Sequence, residues 1–133
     1  MKGIDSIFAD DVNAKKIGVK IFIPKLQDQY FLIASYDAQK VLSIVNKIKH
    51  HFYEDQETPT QEEKNACFKA AVIEQIVKGW DIVENGEHVE FNEKNVKRIL
   101  LDEKYERLFN FILDESQKIE HYKQKEIDEA KKK

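Results

Sequence analysis

Apolar and polar residues alternate near the beginning of the chain, which is the pattern of a half-buried β-strand. Val19, Ile21 and Ile23 occupy every second position, and β-branched residues at that period favour a strand. Pro24 ends this strand because it cannot donate a hydrogen bond to a sheet ladder. A turn then leads to a second β-branched and aromatic run at 30–33. The pattern predicts an N-terminal β-hairpin.

From Asp37 the period of the apolar residues becomes that of a helix. They fall at i, i+4, i+7 and i+11, as Val41, Val45, Ile48 and Phe52. This spacing predicts a helix over about 37–53. Thr60 and Glu63 have the spacing of a capping box, so we expect a second helix from there to Lys78. Its predicted buried stripe consists of Ala66, Ala70, Ile73 and Val77.

The last third of the chain has one apolar face that continues to about residue 127. A short helix is predicted from Asn92, and the face then consists of Tyr105, Leu108, Phe109, Ile112, Ile119 and Ile127. This spacing predicts a long C-terminal helix. The expected fold is therefore mainly α (α+β): a compact helical domain with a short N-terminal β-hairpin, a small hairpin at about 81–91 and that long helix. At 133 residues we expect one domain, 1–133, with a flexible arm at about 1–16 and a frayed tail at about 128–133.

The stretch from Gly79 to Leu101 is read as a connector between helices. We expect Gly79 to end the preceding helix in a left-handed conformation, as glycine does at many helix ends. Asn85 and Gly86 are typical of a two-residue hairpin turn with positive φ angles. Asn92 is a good residue to cap the following helix.

The composition limits the partners and the compartment. The formal net charge is −3 and charged residues make up 35% of the chain, and without a clustered cationic face we expect no nucleic-acid partner. A single cysteine, Cys67, suits a reducing compartment. No signal peptide or long apolar run is visible, so we predict a cytoplasmic protein without a membrane partner.

Candidate catalytic and metal-binding patterns are weak. Asp81, Asn85 and Gly86 match three positions of a calcium-binding EF-hand loop, but Val83 and Asn92 stand where oxygen ligands are needed. The histidines lack the i, i+4 spacing of a helical zinc site, and Cys67 has no neighbouring activator in the sequence. We therefore predict no enzyme activity, no catalytic residues, no metal and no cofactor.

Some apolar residues fall outside the predicted core stripes. Phe68 lies about 200° around its helix from Ala66, and Phe111 and Tyr122 lie together on one flank of the predicted last helix. Such residues either cover a two-sided core or form a protein-interaction surface. The candidate interaction residues are Phe68, Phe111, Tyr122, Ile4, Ile7 and Phe8.

The connector carries a resemblance to a known family. The residues concerned are Gly79 and Trp80, Asn85 and Gly86, Val89, Phe91 and Asn92, Asn95, and Leu100 and Leu101. Their order resembles the pattern shared by tail assembly chaperones of long-tailed (siphovirus-type) bacteriophages and prophages. The resemblance covers about residues 72–115, and it departs at Asn92, where that family more often has Thr or Ser. These positions are expected to determine the fold rather than to form a binding site.

The resemblance implies a non-enzymatic factor in the cytoplasm of the bacterial host. In that family the protein coats the tape measure protein, assists tail tube subunits to assemble around it and is absent from the finished virion. The resemblance therefore implies the tape measure protein and the tail tube protein as partners, and self-association as a homo-oligomer.

Two other classes remain open from the sequence. The first is a winged-helix DNA-binding regulator, with helices at 37–53 and 61–78 and the 81–91 hairpin as the wing. Its recognition helix would begin with Gln61, Glu62 and Glu63, and these carboxylates would face phosphates. The second is another small helical protein-interaction module.

Overall fold

The computed structural model describes residues 3–53 and 60–124. Its helices are α1 (Asp5–Phe8), α2 (Val12–Ile17), α3 (Ala38–Tyr53), α4 (Gln61–Ile76), α5 (Glu93–Leu100) and α6 (Glu106–Ser116). Its strands are β1 (Val19–Ile23), β2 (Leu26–Ile33), β3 (Val77–Glu84) and β4 (Glu87–Val89). Two short 3-10 helices, Glu103–Tyr105 and Ile119–His121, flank α6.

The four strands form one antiparallel sheet in the order β1-β2-β3-β4. Ile21 pairs with Phe31, and Phe31 pairs with Trp80 on the other side. The two hairpins that the sequence predicts are therefore joined through β2 and β3. The prediction of a mainly α domain with separate hairpins is wrong, because the fold is α+β. Strands β2 and β3, which are distant in sequence, pair so that Phe31 and its neighbours are buried.

The turn chemistry of the second hairpin is as the sequence predicts. Asn85 and Gly86 have φ angles of 54° and 82°, so both adopt the left-handed conformation of a two-residue turn. The two strands that the turn joins, β3 and β4, are antiparallel, with Ile82 paired to Val89.

Helices α3 and α4 pack together and against the sheet. Val41 is buried in the core, and Val45 and Ile48 pack against it as predicted, whereas the side chain of Phe52 lies outside the described residues. The α4 capping box is present, since Thr60 Oγ1 accepts from Glu63 N at 3.1 Å and Glu63 Oε1 accepts from Thr60 N at 2.7 Å.

The predicted buried stripe of α4 is confirmed at Ile73 and at Val77, which lies at the start of β3, but not at its first two residues. Ala66 is exposed and Ala70 is half-buried. The buried residues are Cys67, Ala71, Val72, Ile73, Gln75 and Ile76. A single narrow apolar stripe does not describe α4, because this helix contacts both α3 and β3 and buries residues over a wider arc.

Gly79 does not end α4 in the predicted left-handed conformation. The helix ends at Ile76 and passes directly into β3, where Gly79 pairs with Leu32. A methyl group placed on Gly79 would lie 2.9 Å from Leu32 Cδ1, so the small residue makes room for a neighbouring strand's side chain. The expectation of a glycine helix stop is wrong.

The predicted long C-terminal helix is also wrong, because α6 ends at Ser116. Ser116 is buried and its hydroxyl donates to the Leu113 carbonyl at 2.6 Å. The chain then turns through the 3-10 helix, which lets Tyr122 enter the core. A continuous helix would carry Tyr122 away from the sheet. Ile127 and the predicted frayed tail lie outside the described residues.

The N-terminal arm, α1 and α2, is joined to the C-terminal turn by backbone hydrogen bonds. Asp11 N donates to the Tyr122 carbonyl at 2.7 Å, and Gln124 N donates to the Ala9 carbonyl at 3.0 Å. Asp10 and Lys123 form an isolated antiparallel bridge. The arm thus has defined attachments, although α1 packs none of its own residues into the core.

Candidate functional site

An apolar groove of about 730 Å³ lies between α4 and α5. One wall consists of Ala70, Ile73 and Glu74 of α4 with Val77 of β3, and Ile48 of α3 also lines it. The other wall and the end consist of Phe91, Asn92, Glu93, Val96, Lys97 and Leu101. The walls are about 10–12 Å long, since α-helical residues rise about 1.5 Å each.

The sheet fixes the end of the groove through Trp80. Its indole Nε1 donates to the Val89 carbonyl at 2.8 Å. Its ring contacts Phe31 edge to face in the core, and on the other side it contacts Phe91 edge to face with centroids 5.2 Å apart. Phe91 remains partly exposed, so it connects the buried core with the groove surface.

The α5 wall is fixed at both ends. Asn92 caps the helix as predicted, because its side-chain oxygen accepts from Asn95 N at 2.8 Å. Near the other end, Arg98 Nη1 lies 2.9 Å from Glu84 Oε1, and the Tyr105 hydroxyl donates to the same carboxylate. Hydrogen bonds from Tyr105 and Arg98 lower the pKa of Glu84, while the bond to Glu84 raises the pKa of Tyr105.

Charged residues stand at the groove rim and beside it. Lys97 Nζ and Glu93 Oε2 form an exposed pair at 3.2 Å on the α5 side. Glu74 on the α4 side also borders a second cleft of about 330 Å³, which contains Lys16, Lys40 and Lys78. The apolar groove and a lysine-rich cleft therefore share Glu74 as a common border.

The groove offers apolar contact rather than reactive groups. Its titratable side chains are Glu74, Glu93 and Lys97, which are exposed. Within residues 3–53 and 60–124, no cluster of three or more histidine, cysteine or carboxylate side chains could hold a metal ion. A concave apolar surface with charged margins is the geometry that accepts the apolar face of an amphipathic helix.

The segment that partly matches a calcium loop is the β3–β4 hairpin. Asp81 faces His88 across it, with Oδ1 and Nδ1 3.3 Å apart; the His88 side chain is exposed and that of Asp81 is half-exposed. Asn92, the last position of that loop pattern, caps α5 instead. The residues thus form the hairpin and helix start that the turn chemistry predicts.

The structure separates the predicted interaction residues into four groups, of which Tyr122 is the last. Ile4, Ile7 and Phe8 of α1 are 79%, 63% and 76% exposed. Phe68 is 51% exposed but lies on α4 about 200° from the groove residue Ala70. Phe111 is half-buried against the core.

Tyr122 has a structural position rather than an exposed one. It is 3% exposed, and its hydroxyl donates to the Ile33 carbonyl at 2.8 Å. Burial, and to a lesser extent the charge of Glu115, raises its pKa to about 12. Tyr122 therefore offers no surface to a partner in this conformation.

A small ionic cluster holds the turn that positions Tyr122. Glu115 is buried, with Lys118 Nζ 2.5 Å and His121 Nε2 2.7 Å from its two oxygens. Burial alone would raise the pKa of Glu115, but the hydrogen bonds from Lys118 and His121 outweigh it, so the pKa is lowered. The same contact raises the pKa of Lys118.

The sequence predicts a purely structural role for the connector, yet six of its residues line the groove: Phe91, Asn92, Glu93, Val96, Lys97 and Leu101. Leu100, next to them, is completely buried. Ala70 belongs to the predicted buried stripe of α4, although it lines the groove as a half-buried residue.

The hairpin geometry bears on the winged-helix alternative. In that alternative the hairpin is a separate wing. In this structure β3 pairs with β2 inside the sheet, and it follows α4 directly with no loop between them. The exposed first turn of α4 carries Glu62, where a recognition helix needs to approach phosphates. These features do not favour a DNA-binding surface.

Together, the fold and the groove define a small α+β protein with an open apolar groove between α4 and α5. A family model, described as YdaY prophage protein, matches residues 34–133, and the chain belongs to that family. The matched range contains the whole groove and excludes α1 and α2. Comparisons with curated proteins and with solved structures find no match. In the described part of the chain, every helix is too short or too polar to cross a membrane.

Proposed function

We propose that this prophage protein is a tail assembly chaperone, which binds apolar helical segments of the tape measure protein and assists tail tube assembly. The observation that carries the proposal is the open apolar groove between α4 and α5. Membership of a prophage protein family and the resemblance of the connector to tail assembly chaperones support it.

The groove dimensions suit about two turns of a client helix. Two turns measure about 11 Å, close to the length of the walls formed by α4 and α5. Apolar client residues at i, i+3 or i+4, and i+7 would then face Ile73, Val96 and Leu101, which line the groove. Long, mostly helical tape measure chains expose many such stripes before the tail tube surrounds them.

The chaperone proposal can be tested by blocking the groove in a co-expression experiment. Ala70→Glu places a charged side chain among the apolar walls while keeping a good helix former. We expect the wild type to keep the tape measure protein of the same prophage soluble, and Ala70→Glu to lose most of this effect. The soluble fraction of the tape measure protein is the measurement.

The matched control is Leu42→Gln, which removes an exposed apolar residue of α3 that does not line the groove. It should preserve client solubility, and both variants should unfold at temperatures close to that of the wild type. If Ala70→Glu keeps its fold and still solubilises the client as the wild type does, the groove is not the client site.

Retention in the finished particle separates a chaperone from a tail component. We expect the protein to be present in lysates that are assembling tails and absent from purified tails, as judged by mass spectrometry. A stoichiometric amount in purified tails would contradict the chaperone proposal.

A further inference from the structure

We propose that the exposed apolar face of α1 docks into the α4–α5 groove of a second copy of this chain, and that two copies exchange these contacts reciprocally. This inference does not depend on the tape measure protein. It concerns two surfaces of the same molecule that have matching shape and chemistry.

The docking element is a short helix with an apolar face that its own chain leaves uncovered. Ile4, Ile7 and Phe8 have i, i+3, i+4 spacing and lie within about 100° of one another around the axis. All three are more than half exposed, at 79%, 63% and 76%. They therefore form a contiguous apolar face of the kind that marks an interaction site.

The receiving groove has the right size for this face. The distance along the axis from Ile4 to Phe8 is about 6 Å, and the walls extend about 10–12 Å. The groove is lined mainly by aliphatic side chains and Phe91. Three apolar side chains from α1 can thus be buried without requiring α1 to become longer.

Charge selects α1 among the apolar surfaces of the molecule. The arm carries Asp5, Asp10 and Asp11 close to its apolar residues, which with Lys15 and Lys16 of α2 gives a balance of −1, and Asp10 is paired with Lys15. The cleft that shares Glu74 with the groove carries three lysines: Lys16, Lys40 and Lys78. Lys16 itself belongs to the arm, so Lys40, Lys78 and Lys97 with Glu74 and Glu93 leave the rest of the receiving surface at +1. Opposite charges on two surfaces favour and orient their association.

The position of the arm makes a closed exchange geometrically simple. Lys16, near the end of α2, lines the cleft that shares Glu74 with the groove, so the base of the arm lies beside the groove. Two copies related by a twofold axis near this surface each present an arm and a groove to the other. Two equivalent contacts close the assembly as a dimer and double the buried area, which a short helix requires.

The experiment is to measure the mass of the full chain in solution by light scattering and sedimentation over a range of concentrations. The wild type is expected to be a dimer. The arm variant Ile7→Gln/Phe8→Gln and the groove variant Ala70→Glu should each raise the dimer dissociation constant about a hundredfold or more. The control Leu42→Gln should leave it unchanged.

Mixing the two defective variants gives the most specific result. The arm variant retains an intact groove and the groove variant retains an intact arm, so the mixture should form heterodimers through one contact while each variant alone stays monomeric. A wild type that is monomeric up to its solubility limit would overturn the inference. Dimers of normal affinity in either variant, or a mixture that does not associate, would overturn it as well.

Discussion

Tyr122 shows how one side chain fastens the C-terminal turn to the sheet. Its hydroxyl donates to the Ile33 carbonyl, and burial raises its pKa to about 12. Because the folded state favours the neutral phenol, this stabilisation is complete below the unfolded pKa near 10 and is lost as the pH rises towards about 12. A shift of about two units corresponds to about 2–3 kcal/mol.

We expect Tyr122→Phe to lower the free energy of unfolding by about 1–2 kcal/mol near neutral pH, since the Ile33 carbonyl loses its buried donor. Above a pH of about 10 the variant should lose less further stability than the wild type. Urea unfolding across that range measures both effects. Tyr30→Phe, on the sheet beside Phe22, is the control for loss of a phenol, and parallel curves for wild type and Tyr122→Phe would contradict the assignment.

Glu115 should give the opposite pH dependence. Its folded pKa is lowered by Lys118 and His121, so its stabilisation is present above the unfolded pKa of about 4.3 and is lost as the pH falls through the lower folded value. We expect Glu115→Gln to cost about 1–3 kcal/mol near neutral pH and to flatten the acid limb of the stability curve.

Thermal unfolding of Glu115→Gln at several pH values tests this expectation, with the exposed Glu120→Gln as the control. If both substitutions leave the acid limb as it is in the wild type, the ionic cluster does not stabilise the C-terminal turn.

The elements of this fold were predictable from the sequence where their signals are local. The capping box of Thr60 and Glu63, the Asn85–Gly86 turn and the Asn92 cap each depend on a few adjacent residues, and each is present. The pairing of β2 with β3 joins segments on either side of α3 and α4, which no local pattern specifies. The prediction of a long C-terminal helix failed because apolar residues keep a helical spacing beyond Ser116, although the chain turns there and buries Ser116 and Tyr122.

The two glycines of the connector illustrate this difference at the level of elements. Gly86 has a φ of 82°, so Gly86→Ala should cost about 1–2 kcal/mol. Gly79 lies in β3, and the nearest obstacle to a methyl group is the end of the Leu32 side chain, which can move. The gain from a less disordered unfolded chain offsets this movement, so Gly79→Ala should change stability by less than about 1 kcal/mol.

Chemical denaturation of the two glycine variants provides the measurement, and each is the other's control. A large loss of stability in Gly79→Ala, equal to that in Gly86→Ala, would instead mean that the Leu32 side chain cannot move aside for the methyl group.

At the scale of the whole molecule, the groove could not be predicted because its walls come from parts of the chain that only the fold brings together. Ala70 and Val96 each belong to a helix whose apolar residues suggest a core. They line the groove because α5, anchored through Arg98 and Glu84, stands apart from α4. The exposed arm, in contrast, was visible in the sequence as Ile4, Ile7 and Phe8.

If the groove accepts both the arm of a second copy and a client helix, the two ligands must compete. The arm variant Ile7→Gln/Phe8→Gln should therefore bind a tape measure peptide more tightly than the dimeric wild type does. The apparent dissociation constant scales inversely with the fraction of open grooves, so nine occupied grooves in ten give about a tenfold difference. Fluorescence of Trp80, the single tryptophan, measures binding because Trp80 contacts Phe91 at the groove.

The concentration dependence of this difference distinguishes competition from a general effect of the arm. As the wild type is diluted below its dimer dissociation constant, its grooves open and its peptide affinity should approach that of the arm variant. Ala70→Glu should bind the peptide weakly at every concentration, because its groove is blocked to both ligands. Equal peptide affinities for the arm variant and a fully dimeric wild type would mean that the arm and the client use different surfaces.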